Sequence, residues 1–248
     1  MLAAMLARLL AAALFVLAAT AAPRAQAQTE GEHARAVVEL FTSQGCTQCP
    51  RANRLLGMFS REDQVLALTF PVGIWDYLGW RDTFARPEFS DRQRDYSRTL
   101  RVRGRFTPQL VINGQSQISA SDWDNARAAY DQQMAQGWPA VAPEVSISRL
   151  RSDRVRITVS GRAPPEPADI WLVTYEPGPI SVTVRAGANV NRTIAHYNLV
   201  LRIDRVDTWS GRSVWYERTR CNPQCAVLVQ APNGGPILAA AFTPDPRH

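Results

Sequence analysis

Ala36-Val-Val-Glu-Leu-Phe41 runs directly into Thr42-Ser-Gln-Gly-Cys46-Thr-Gln-Cys49-Pro50, and then into Arg51-Ala-Asn-Arg-Leu-Leu-Gly-Met-Phe59. The first six residues read as a short buried strand. Leu55, Leu56 and Phe59 recur at helical spacing, and Pro50 falls in the first helical turn, where the amide it lacks would have no partner. The stretch is strand, loop, helix, with a cysteine pair at the junction.

That position has a chemical consequence. A cysteine at the start of a helix faces unpaired backbone amides and the positive end of the helix dipole, which favour thiolate over thiol. Cys46 is the expected attacking sulfur. Cys49, one turn on, is the expected resolving sulfur that breaks a mixed disulfide from within. A structural disulfide and half of a metal site are the alternatives. The histidines His33, His196 and His248 are dispersed and lack ligand spacing, which weighs against zinc, and no cofactor is expected.

Outward from the junction, Val65 to Phe70 supplies a second strand, and a helix is predicted from Pro87 to Leu100, with Gly104 beyond it. Phe106 to Gln115 reads as a strand ending in an Asn113-Gly114 turn, with Ser116 to Ser119 as its hairpin partner. Ser121 is placed to cap a last helix through Trp123, Ala126, Tyr130 and Met134 to Gly137. The order is βαβαββα over residues 28–137. Two prolines in 138–144 mark a linker, and beyond it the period changes to two. Val145–Ser148, Val155–Val159, Ile170–Tyr175, Ser181–Val184, Ile194–Val206, Ser213–Glu217, Ala226–Gln230 and Ile237–Phe242 are the expected strands. The expected fold class is an α/β N-terminal domain followed by an all-β, sandwich-like C-terminal domain over 145–248.

Residues 1–27 read as a secretory signal. Arg8 is the early charge, Leu9 to Ala22 is apolar, and Ala25-Gln26-Ala27 is a small-residue cleavage pattern. The apolar run is too short for a membrane span, so the expectation is a periplasmic or secreted protein with no stable membrane insertion after cleavage. All 28 basic residues are arginine, which excludes Schiff-base and P-loop lysine chemistry. Removing Arg8 and Arg24 lowers the formal charge from +6 to +4, a mild and scattered excess that does not read as a nucleic-acid footprint.

The Val37–Pro50 stretch, the Pro108 strand with its Asn-Gly turn, and the order of elements resemble the thioredoxin superfamily. More closely, Trp75-Asp-Tyr-Leu-Gly-Trp80, Tyr96-Ser-Arg98, Asn191-Arg-Thr193 and His196-Tyr-Asn198 look like a bacterial family of secreted, thioredoxin-like proteins of unknown function. The superfamily resemblance implies a cis peptide at Thr107-Pro108, with residue 107 offering backbone hydrogen bonds to an extended substrate. It also suggests that Glu39 stands in for the buried acid behind the cysteines of thioredoxins; an exposed edge acid is the alternative. Trp75, Asp76 and Trp80 are candidates for the substrate surface or for a packed lid. Pro71-Val-Gly73 departs from the family, which often carries a histidine and an acid there, and Cys221-Asn-Pro-Gln-Cys225 looks like an addition. Cys221 and Cys225 flank a turn and read as a structural disulfide closing a hairpin, with a second redox pair as the sharper alternative. The expected function is an exported thiol-disulfide oxidoreductase acting on protein thiols and served by an unidentified redox partner. A non-catalytic binding protein with static disulfides and a carrier of Cu(I) or another soft metal are the other readings.

Overall fold

The computed structural model describes residues 29–139, 142–151 and 153–244. The expected signal segment lies outside these residues. Around the cysteine junction, β3 (Ala36–Thr42), α1 (Cys49–Phe59), β4 (Val65–Pro71), α2 (Pro87–Thr99), β5 (Gln109–Ile112), β6 (Ser116–Ser119) and α3 (Trp123–Gln136) follow the expected order. The cap of α3 differs by one residue: Asp122, not Ser121, accepts the Asn125 amide at 3.1 Å. The β5–β6 turn has Asn113 at φ 51° and Gly114 at φ 63°, the left-handed pair that a two-residue hairpin requires.

The second half holds β7 (Glu144–Arg151), β8 (Arg154–Ser160), β9 (Ala168–Glu176), β10 (Ile180–Thr183), β11 (Thr193–His196), β12 (Leu199–Trp209), β13 (Val214–Arg218), β14 (Gln224–Gln230) and β15 (Ile237–Phe242). The single strand expected over Ile194–Val206 is two, interrupted where Asn198 turns at φ 45°. With the short β1 (Thr29–Glu30) and β2 (Glu32–His33), these strands form three sheets.

The expected separate sandwich does not form. One nine-stranded mixed sheet runs β2-β15-β14-β9-β12-β4-β3-β5-β6 through both halves of the chain. β12 lies parallel beside β4 with Leu199 opposite Thr69, and β3 and β4 are parallel over Ala36–Thr42. Residues 138–144, expected to link two domains, lie partly outside the described residues, and the chain on either side of them feeds the same core. Val37, Phe41, Leu66 and Phe70 pack in one cluster with Val173, Val200, Leu228 and Ile237.

The physical reason is burial on both faces. β14 and β9 carry apolar residues on both sides, as strands inside a large covered sheet do. β7 and β8 instead alternate, with Val145, Ile147, Val155, Ile157 and Val159 inward. Together with β1 and β13 they make a separate four-stranded sheet, which packs on Ile170, Leu172, Val227 and Val229. Period-two alternation puts that layer on the same side of the main sheet as α1 and α3, whose core is Val38, Leu40, Leu55, Leu56, Phe59 and Tyr130. α2 covers the opposite side.

Candidate functional site

Parallel pairing of β3 and β4 places the end of β3 and the start of α1 at one edge of the sheet, and the loop between them carries the cysteines. Cys46 and Cys49 form a disulfide. Cys46 is 6% exposed and Cys49 is completely buried, while Thr47 and Gln48 face solvent. The difference in access follows from the helix: Cys49 begins α1, and its amide donates to the Cys46 carbonyl at 3.3 Å. Cys46 Sγ lies 3.6 Å from the Thr107 carbonyl oxygen, and the Thr107-Pro108 peptide is cis. The two motifs, 61 residues apart, meet at the Cys46 sulfur.

The Trp75–Trp80 run packs onto this loop. Trp75 Nε1 donates to Thr107 Oγ1 at 2.7 Å. Gly45 lets Trp75 approach: a Cβ there would meet the tryptophan Cβ at 2.9 Å. Trp80 Nε1 donates to Gln44 Oε1 at 2.8 Å, and Asp76 Oδ1 accepts the Asp82 amide at 3.0 Å. Trp75, Asp76 and Trp80 are each half-buried, so the segment is at once a lid on the loop and part of its surface.

Several residues that hold the loop carried no local signal in the sequence. Asn189 is buried and donates through Nδ2 to the carbonyls of Gln44 at 2.9 Å and Cys46 at 2.8 Å. Asn53, buried on α1, accepts from Thr42 Oγ1 at 2.7 Å and donates to the Ala195 carbonyl at 2.9 Å. Asp82 accepts the backbone amides of Gln44, Phe84 and Ala85 at 2.7, 2.9 and 3.1 Å. Burial pushes the Asp82 carboxyl up to about 6, although those amides pull the other way. His196, against the Phe84 ring at 5.3 Å, is buried, which pushes its imidazole down to about 4. The contacts of Asn189 with Gln44 and Cys46, of Asn53 with Ala195, of Asp82 with Gln44 and of His196 with Phe84 join residues far apart in the chain, which periodicity cannot reveal.

Glu39 is fully buried, as the stand-in reading requires, but on the α2 side of β3. Arg92 donates to its carboxylate from Nε at 2.7 Å and Nη2 at 3.2 Å, and Tyr96 Oη donates to Oε2. Burial opposes the charge on Arg92, but Glu39 and Tyr96 outweigh it and keep the guanidinium protonated. Arg92 Nη1 also donates to Gln230 Oε1 at 3.0 Å, so the ion pair ties the two halves of the sheet together. Among the described residues, the hydrogen-bond partners of the Glu39 carboxylate are Arg92 and Tyr96, not groups of the cysteine loop.

Cys221 and Cys225 form the second disulfide, fully buried between the two sheets. Arg149 donates to the Cys221 carbonyl at 2.8 Å and the Pro223 carbonyl at 2.9 Å. β14 and β3 are four strand spacings apart in the main sheet, which is about 19 Å at the usual interstrand distance. The two disulfides do not meet. Among the described residues, no group of three or more His, Cys, Asp or Glu side chains is placed to hold a metal ion, and no helix is long and apolar enough to cross a membrane.

A family model described as a protein of unknown function, DUF1223, matches residues 37–230, from β3 to the end of β14. The chain belongs to the DUF1223 family. The match spans both halves of the sheet, so the DUF1223 region includes the cysteine loop together with Asn189, which closes over it. The chain is also similar to a structural-genomics target from Agrobacterium tumefaciens known from its crystal structure. The two share 28% identity and a TM-score of 0.69, over 86% of this chain and 95% of the other. None of the curated proteins matches the chain.

Proposed function

We propose that this DUF1223 protein is an exported thiol-disulfide oxidoreductase, built on a thioredoxin-like framework and acting on protein thiols through Cys46 and Cys49. The observation that carries the reading is the asymmetry of the pair: Cys46, its Sγ 3.6 Å from the Thr107 carbonyl oxygen, keeps 6% of its surface exposed, and Cys49, at the start of α1, keeps none. A substrate thiolate attacks Cys46 Sγ, forming a mixed disulfide and releasing Cys49 as a thiolate. A second substrate thiolate then attacks the substrate sulfur of that bond and releases Cys46. The substrate gains a disulfide, and the two electrons and two protons it loses end on the cysteine pair. The sequence runs equally in reverse. The start of α1 favours thiolate at Cys46, which supports its role as both attacking and leaving sulfur.

The test is a Cys49→Ala variant of the mature protein, exposed to periplasmic or secreted proteins. It should accumulate covalent adducts through Cys46 that dithiothreitol releases. Absence of adducts, together with a Cys46-Cys49 potential below about −300 mV in glutathione buffers, would assign the pair to a static disulfide.

A further inference from the structure

Arg81, Arg86 and Arg105 line one cavity of about 270 Å³ at the edge of the cysteine site. Its position follows from the chain. Arg105 precedes Thr107 by two residues, so their Cα atoms are within about 7 Å even if the backbone is fully extended. Ile74 and Asp76, also in the lining, flank Trp75, which is hydrogen-bonded to Thr107 and packed on Gly45. The cavity lining therefore comes within about two residues' length of Thr107, whose carbonyl oxygen lies 3.6 Å from the sulfur that a substrate would attack.

Its charge is unbalanced in a specific way. Both oxygens of Asp82 accept backbone amides, and Asp76 Oδ1 accepts another. Arg81, Arg86 and Arg105 are exposed, and among the described residues they enter no ion pair. Guanidinium groups present paired donors in the geometry of a carboxylate. Next to Asp76 in the chain, Tyr77 (76%) and Leu78 (45%) are exposed, an apolar surface suited to a polypeptide.

We infer that the cavity of Arg81, Arg86 and Arg105 receives acidic side chains of a polypeptide substrate, close in sequence to its reacting cysteine. The inference rests on the proposed thiol-disulfide exchange, whose substrate class it narrows.

Two peptide pairs test it with the mature protein. In the first pair, dithiol peptides of equal length carry either Asp and Glu or Asn and Gln beside the cysteines, and reduction of the Cys46-Cys49 disulfide is timed. The acidic peptide should react about tenfold faster at low salt, with the ratio shrinking in 0.5 M NaCl. Arg81→Gln/Arg105→Gln should bring the ratio close to one, whereas Arg54→Gln, on the exposed face of α1 outside the cavity, should leave it unchanged. Equal rates for the two peptides, or a preference that survives the double variant, would overturn the inference while leaving the redox reading standing. In the second pair, serine replaces cysteine and only binding is measured by calorimetry. Preferential binding of the acidic peptide without exchange by either dithiol peptide supports the acidic-partner inference and overturns the redox reading. No binding preference overturns the inference.

Discussion

Asn189 closes over Cys46 from 143 residues away, its side-chain Nδ2 donating to the Cys46 carbonyl at 2.8 Å and to the Gln44 carbonyl at 2.9 Å. Its own Oδ1 accepts from Arg192 Nη1 at 3.0 Å, which fixes the orientation of the amide. The loop that carries Cys46 is therefore shaped by the half of the chain that lacks it.

Asn189→Ala leaves the buried Gln44 carbonyl without that donor and should cost about 1–3 kcal/mol of stability. Asn189→Asp should cost more, because a carboxylate accepts but cannot donate and would face two carbonyl oxygens. Urea denaturation of the oxidised protein measures both. Dithiothreitol should also reduce Cys46-Cys49 faster in Asn189→Ala, as the loop opens more readily.

The Glu39-Arg92 pair makes a different demand. Both side chains are buried, so removing one partner strands the other charge. Arg92→Met should lose about 3–5 kcal/mol. Glu39→Leu/Arg92→Met should recover much of that loss, since no charge then remains uncompensated, and a double-mutant cycle in urea reads the coupling. If the double variant were as unstable as the sum of the single ones, the ion pair would not be what joins β3 to α2.

The contrast between these two features shows what the sequence can reveal. The cysteine junction was legible because its signals are local: β residues before it, helical spacing after it, and Pro50 in the first turn. The strands of the second half were legible for the same reason. Their assignment to sheets was not, although a clue was present. Ala226-Val-Leu-Val229 is apolar at successive positions, as for a strand covered on both faces, whereas Val145 and Ile147 alternate with polar residues. Asn189, Asp82 and the Arg92 partner of Glu39 were not legible, because each acts through contacts with residues far away in the chain that leave no periodic trace.

Acid should affect stability through two buried groups of opposite sign. The folded value of His196 is about 4 against an ordinary 6.5, so the unfolded chain takes up that proton first, and stability falls as the pH drops from about 6.5 to about 4. Asp82 is raised from 3.8 to about 6, so the folded chain takes up that proton first, and stability rises as the pH drops from about 6 to about 3.8. Each full effect is on the order of 3 kcal/mol. The two offset one another, and the wild-type contribution of the pair should be nearly flat between pH 6 and 4. His196→Gln should expose the rising Asp82 limb, and Asp82→Asn the falling His196 limb. Denaturation midpoints across this pH range decide it; parallel profiles for the two variants would contradict the assignment.

The two disulfides should separate under reduction. Cys46 is 6% exposed, whereas Cys221 and Cys225 lie fully buried between β-layers. Dithiothreitol acting on native protein should therefore open Cys46-Cys49 first, with Cys221-Cys225 reduced only at the rate of local or global unfolding. Cys221→Ala/Cys225→Ala should leave the Cys46-Cys49 potential unchanged, because the pairs are about four strand spacings apart. Its cost should appear in stability instead, about 2 kcal/mol from loop closure over so short a span. Timed alkylation with mass spectrometry follows both pairs in one experiment. Simultaneous reduction, or a shifted Cys46-Cys49 potential in the variant, would show that electrons pass between the two sites.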